Sequence, residues 1–307
     1  MKIKFLVFAF IVCAPSFAQN KLFTEKEIAI NELIDGTLLL SNTNSNSTLA
    51  IFIGDFGPTD RNGNQNFLKS NTLKKLAEGL SYQGVSTFRY DKRIVKQIRK
   101  GKVDNDILFN DFITDAISVV SHFKSQNTYS KIYIIGYGQG SLVGMIAAQE
   151  IGDGFVSLAG SGQSLDLILR NEIKKNAPMF AEDTAKVLET LKAGKTTPNF
   201  PEALASIFSE ELQPFLSSWI QFNPITEISK LNVPVLIING TKDLQVSVEE
   251  SEALKNASKN GSLKIIEKMN HILYTIEGDD LENSKSYNES FRKINPQVIE
   301  HLISFIK

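Results

Sequence analysis

Cysteine is nearly absent. The 307 residues hold one, Cys13, and it falls inside an N-terminal stretch that reads as a secretory signal peptide. Met1-Lys2-Ile3-Lys4 gives the charged start, Phe5 to Pro15 the apolar run, and Ser16-Phe17-Ala18 the small residues ahead of Gln19. The run is far shorter than the about 20 apolar residues a membrane anchor needs. Val12 before Cys13 is not the small residue of a lipid-attachment site. Once residues 1–18 are removed, the chain is expected to be secreted or periplasmic. It then has no thiol, which excludes disulfides and cysteine catalysis.

Histidine is scarce as well. His122, His271 and His301 are too few and too far apart for an HxxxH or HxH zinc signature. No metal and no cofactor is expected. Net charge is −1, from 33 basic and 34 acidic side chains. Neither sign gathers into the long patch that binding to nucleic acid requires. A neutral small-molecule ligand is the expectation that remains; oligomeric state is left open.

What the chain does contain is a series of short apolar runs alternating with helical periodicity, the pattern of a mostly parallel α/β sheet covered on both faces. Strands are expected over 37–42, 48–54, 85–91, 131–136, 154–160, 234–240 and 262–267. Helices are expected over 71–83, 109–124, 139–150, 247–259 and 297–306. Asp111, Ile113, Ile117, Val120 and Phe123 form one helical stripe with a polar start. Residues 165–230 break the rhythm with helical segments and five prolines, so they are read as a helical cap between two core parts, 19–164 and 231–307. Trp219, Phe208, Phe215 and Phe222 in the cap are read first as packing and second as a pocket roof. Residues 42–47 and 278–287 are polar and read as loops.

The segment richest in information is Ile134-Ile135-Gly136-Tyr137-Gly138-Gln139-Gly140-Ser141-Leu142-Val143-Gly144-Met145, an apolar strand entering a helix of small residues. It resembles the nucleophile elbow of the α/β-hydrolase family, in particular bacterial serine esterases and acyl hydrolases of the serine-aminopeptidase-like branch. The family's Gly-His-Ser-x-Gly pattern puts serine at the centre, and here the centre is Gly138. In the family's chain order of nucleophile, acid and histidine, Asp243 of Thr241-Lys242-Asp243 matches the acid. His271 of Met269-Asn270-His271-Ile272-Leu273 matches the histidine. His122 and His301 lack such context.

Two further segments carry the resemblance. Residues 53–64, with Gly57-Pro58-Thr59-Asp60-Arg61, look like a Gly-Ser-Gly-Pro-Thr-Asp-Arg-Asp-Gly-Asn loop of one esterase branch. Phe88-Arg89-Tyr90-Asp91-Lys92-Arg93 resembles its Arg-Tyr-Asp-x-Arg-Gly stretch, with Ile94 for the glycine. The resemblance implies an oxyanion hole from the amides of Phe56 and Gln139. Asp55 replaces a family glycine beside that hole, where a carboxylate would oppose the developing charge unless it points away or pairs with Arg61.

Glycine offers no side chain to attack a carbonyl, so the acyl-enzyme route is expected to be impaired. Ser141, Ser161 and Ser164 are the weaker substitutes. Three readings stand. In one, Asp243 and His271 activate water held in the space the serine would fill. In another, the chain is an inactive pseudoenzyme binding a small apolar ester or acyl ligand. In the third, a recent change or an error in the sequence has replaced the serine of an ordinary esterase. Relatives with helical caps also leave a peptidase-like activity open.

Overall fold

The computed structural model describes residues 22–42, 47–104 and 106–307. The signal-peptide expectation, Cys13 and most of the 42–47 loop lie outside the described residues. Among these, eight strands make one sheet: β1 (Phe23–Ala29), β2 (Asp35–Ser41), β3 (Thr48–Ile53), β4 (Ser86–Tyr90), β5 (Lys131–Tyr137), β6 (Gly154–Leu158), β7 (Val235–Gly240) and β8 (Gly261–Ile266). Their order is β1-β2-β4-β3-β5-β6-β7-β8. β1 and β2 pair antiparallel, β2 joins β4 antiparallel, and every pairing from β4 onward is parallel.

The central strands β3, β5, β6 and β7 are largely apolar on both faces because both faces are covered. Ile132 and Ile134 of β5 enter one core cluster with Leu49, Ile51, Val235 and Ile237, while Tyr133 and Ile135 enter the other with Phe52, Leu236 and Ile238. The first layer is closed by the helix Phe109–Ser125, the helix Gln139–Glu150 and the helical segments that follow β6; the second by Thr72–Tyr82 and Pro296–Ile306. In Phe109–Ser125, Ile113, Val120 and Phe123 are buried as the stripe predicted, Ile117 only partly, and Phe112, Ala116 and Val119 complete the face.

The sequence expectation misses three elements. β1 is an edge strand with charged, mostly exposed residues, the composition that keeps an edge from pairing with another chain, and it carries little apolar alternation. The helix Arg93–Arg99 was not anticipated. Part of the expected loop 278–287 is the helix Asp280–Ser286, whose N-cap Asp279 accepts from the amides of Leu281 and Glu282.

Between β6 and β7 the chain runs through helices from Leu165–Asn176 to Pro224–Ser229. Trp219 stacks on Phe109 at 5.4 Å, Phe222 lies 5.5 Å from Phe109, and Phe215 meets Phe112 edge-on at 5.8 Å. Phe208 is fully buried. These aromatics pin the helical excursion to the core, the packing role read first. Among the described residues no helix is long and apolar enough to cross a membrane.

Candidate active site

In open parallel sheets, ligand sites form beyond the carboxyl ends of the strands. Ile53 at the end of β3 is in register with Gly136 of β5, so the residues following each strand are brought side by side: Asp55 and Phe56 from β3, Gly138 and Gln139 from β5. Asp243 follows β7, and His271 follows β8.

Gly138 adopts φ 54°, ψ −121°, backbone angles that strain any residue with a Cβ. Its neighbours pack closely. A Cβ on Gly136 would lie 2.3 Å from the Gly140 carbonyl oxygen, and one on Gly140 2.4 Å from that of Ile53. The turn therefore has elbow geometry, with no nucleophile at its tip.

His271 Nδ1 lies 2.9 Å from Asp243 Oδ2. Asp243 is held by the amides of Gln245 and Val246, which donate to Oδ1 at 2.8 and 3.0 Å. The Tyr137 hydroxyl donates to the His271 carbonyl at 3.2 Å. Asn270 Nδ2 donates to Asn283 Oδ1 and Ser286 Oγ, both at 2.9 Å, and Asn283 Nδ2 donates to the Lys242 carbonyl at 2.7 Å. The unanticipated helix Asp280–Ser286 thus ties the histidine loop to the acid loop.

Asp55 takes neither of the two orientations that would spare the oxyanion site. Its carboxylate neither points away nor reaches Arg61, which pairs instead with Glu27, Asp35 and Asp91. Asp55 Oδ1 accepts from the Phe56 amide at 2.6 Å and the Gln139 amide at 2.7 Å, the two donors expected of the oxyanion hole. Oδ2 faces His271 Nε2 at 3.3 Å. A Cβ on Gly138 would fall 1.9 Å from Asp55 Oδ1. The space expected to hold a water in place of the serine side chain therefore holds this carboxylate. A side chain at 138 and Asp55 in this rotamer exclude each other.

Charge follows geometry. Burial alone would lower the pKa of His271, but the carboxylates of Asp243 and Asp55 overcome it and push the pKa up to about 10. Burial opposes ionisation of Asp55, yet His271 and the two amides hold it below the ordinary carboxylate range. The His271 imidazole thus lies between two carboxyl groups that favour its protonated form. Lys92 Nζ donates to the Asp55 carbonyl and to Gln139 Oε1, the latter at 2.7 Å. Burial pulls its pKa down to about 7, against the pull of Asp55.

The other serines are committed elsewhere. Ser141 Oγ is paired with Ser157 Oγ at 2.7 Å and is almost wholly buried. Ser161 bonds Glu250, and Ser164 bonds Asp166. His122 sits on a helix against Gln126. Lys92 and Asn283 are the site neighbours that sequence reasoning passed over. Lys92 stood inside a recognised motif, while Asn283 carried no signal before the 280–286 helix was known.

No protein-family model matches the chain. It is 26% identical over 275 residues to Esterase EstD of Thermotoga maritima, a match covering 86% of this chain and 63% of EstD. The chain therefore spans less than two thirds of that relative. Among solved structures, Est1E from Butyrivibrio proteoclasticus superposes with a TM-score of 0.57 at 18% identity, covering 92% of this chain and 98% of its own. An esterase of Pyrococcus furiosus gives 0.55 at 17% identity, covering 93% and 91%. The chain has the α/β-hydrolase fold, and both EstD and the Pyrococcus furiosus protein bear the name esterase.

Proposed function

We infer that the chain is an α/β-hydrolase-fold protein related to carboxylic-ester hydrolases, in which the serine acyl-transfer route is closed and a carboxylate has taken the nucleophile's place. The observation that carries this is Asp55 Oδ1 bonded to both oxyanion-hole amides, where a Gly138 Cβ would be 1.9 Å away. Acyl transfer needs those amides for the oxyanion of the intermediate. It also needs a neutral histidine as base, and the carboxylates on both sides of His271 push its pKa up to about 10. The same closure applies to a serine peptidase route. The ligand class that suits the site is a small uncharged ester- or acyl-like molecule, since Phe56 and Trp219, stacked at 5.7 Å, give the surroundings of Asp55 an apolar border. Export after removal of residues 1–18, and a cap formed by residues 165–230, belong to the same proposal. Amino-terminal sequencing of the exported protein tests the first.

The decisive experiment compares alkyl-ester hydrolysis and fluorophosphonate labelling for the unmodified protein, Gly138→Ser, and Asp55→Gly with Gly138→Ser. The unmodified protein is expected to show neither. The double variant should gain both, with the label at position 138, and should exceed the single variant because serine and Asp55 compete for one space. Serine-type labelling and turnover in the unmodified protein, abolished by His271→Ala, would sink the reading.

A further inference from the structure

A carboxylate is a poor replacement for serine in acyl transfer. Attack on an ester carbonyl gives an anhydride, which is higher in energy than the ester and reverts. Attack on a saturated carbon that carries a leaving group gives an ester instead, which is downhill. The exchange that closes one chemistry therefore opens another.

We propose that Asp55 is a nucleophile: its Oδ2 attacks a carbon of an uncharged epoxide, and the chain hydrolyses that electrophile to a diol through an ester formed on Asp55. This rests on the reading that the serine route is closed. Four features of the site carry it. The carboxylate is ionised, so the first step needs no base. Its two oxygens are differentiated, with Oδ1 held by the amides of Phe56 and Gln139 and Oδ2 facing His271. The Asp55 side chain remains 18% exposed, against 3% for His271, so a ligand can reach it. Finally, the imidazolium beside Oδ2 is the proton donor that an opening epoxide requires and a departing halide does not.

The balance is complete with water alone. Oδ2 forms a C–O bond as the ring C–O bond breaks, and the ring oxygen takes the His271 proton. Asp55 is then an uncharged ester, and His271, now neutral and held only by Asp243, is a base. It takes a proton from water as the hydroxide adds to Asp55 Cγ. The negative charge develops on Oδ1, between two amides already in place for it. Collapse breaks the ester C–O bond, and the leaving alkoxide and the regenerated Asp55–His271 pair share the two protons of the water. Gln139 Nε2, buried and without a partner among the described residues, is a further donor on the residue that holds Oδ1.

The test uses the full protein with styrene oxide, and 1-bromobutane as the arm that needs no proton donor. Diol should form from styrene oxide, roughly 100-fold or more slower in Asp55→Asn. A single turnover in ¹⁸O-water, with protein in excess, should leave the label in the peptide that carries Asp55 and not in the diol. In His271→Ala, which lacks the base, 1-bromobutane should leave an alkyl adduct on that peptide. Diol formation indifferent to Asp55→Asn, ¹⁸O entering the diol directly, or no reaction with either electrophile overturns the proposal. The isotope arm uses the unmodified protein, so a folding defect in a variant does not shelter it. If Asp55→Gly with Gly138→Ser becomes an esterase while no label reaches Asp55, the closed-serine reading stands and this inference falls.

Discussion

Asp55 and His271, 216 positions apart in the chain, face each other at 3.3 Å, and the opposite edge of the same imidazole is bonded to Asp243. A histidine between two carboxylates holds its proton. At pH 8, ¹⁵N spectra should show both ring nitrogens of His271 protonated, and Asp55→Asn should move its titration down by one or more pH units. A midpoint near 6.5 in the unmodified protein is the contrary result. The linkage sign is definite. His271, raised above its unfolded value of 6.5 to about 10, contributes stability that is present below 6.5 and lost as pH rises through 10. Lys92, depressed from 10.5 to about 7, contributes the opposite slope, with stability rising from pH 7 toward 10.5. Asp55→Asn should therefore turn a nearly level alkaline stability profile into a rising one.

Gly138 and Asp55 should be energetically coupled. In Gly138→Ala the new Cβ meets the end of a flexible side chain rather than backbone, so Asp55 is expected to swing out and give up both amide bonds. The left-handed backbone adds strain of about 1–3 kcal/mol. With Asp55→Gly already in place, only the strain remains. A double-mutant cycle by chemical denaturation should return a coupling of about 0.5–3 kcal/mol. Additive effects would show that the two positions do not share the space.

Local pattern revealed most of this architecture and little of its chemistry. β3, β5 and β7 could be read because a strand buried on both faces carries a nearly continuous apolar run, and the helix Gln139–Glu150 because small residues follow a glycine turn. β1 escaped because an edge strand is selected for charge. Gly138, Asp243 and His271 could be placed by order along the chain. Asp55 was visible as a departure, but where its carboxylate points depends on the pairing of Ile53 with Gly136 and on the empty volume at Gly138. Neither is encoded near residue 55.

Asn283 should matter more than a polar residue after the histidine loop suggests. It is fully buried, accepts from Asn270 and donates to the Lys242 carbonyl, so it links the residues next to His271 and Asp243. Asn283→Ala leaves a donor and an acceptor unpaired in the interior, at about 1–3 kcal/mol. Thermal unfolding should shift down accordingly, and the His271 ring signals should broaden as its contact with Asp243 loosens. Unchanged ring signals would confine Asn283 to a purely local role.

Trp219 is the chain's single tryptophan, and it stacks between Phe109 and Phe56 at 5.4 and 5.7 Å. Phe56 is 54% exposed, and its amide is one of the two donors on Asp55. An apolar ligand entering beside Asp55 must touch or displace that ring, so Trp219 fluorescence reports occupancy of the site without any turnover. Titration of the unmodified protein with a short-chain alkyl ester should give a saturable change in emission, and Phe56→Ala should weaken or remove it. Because Trp219 is nearly buried against Phe109, Trp219→Ala should also destabilise the helical excursion, by about 3–5 kcal/mol for loss of a buried tryptophan. Trp219→Phe should retain most of the packing. A saturable signal that survives in Phe56→Ala would mean that the ligand binds elsewhere, and the apolar border assigned to Asp55 would have to be given up.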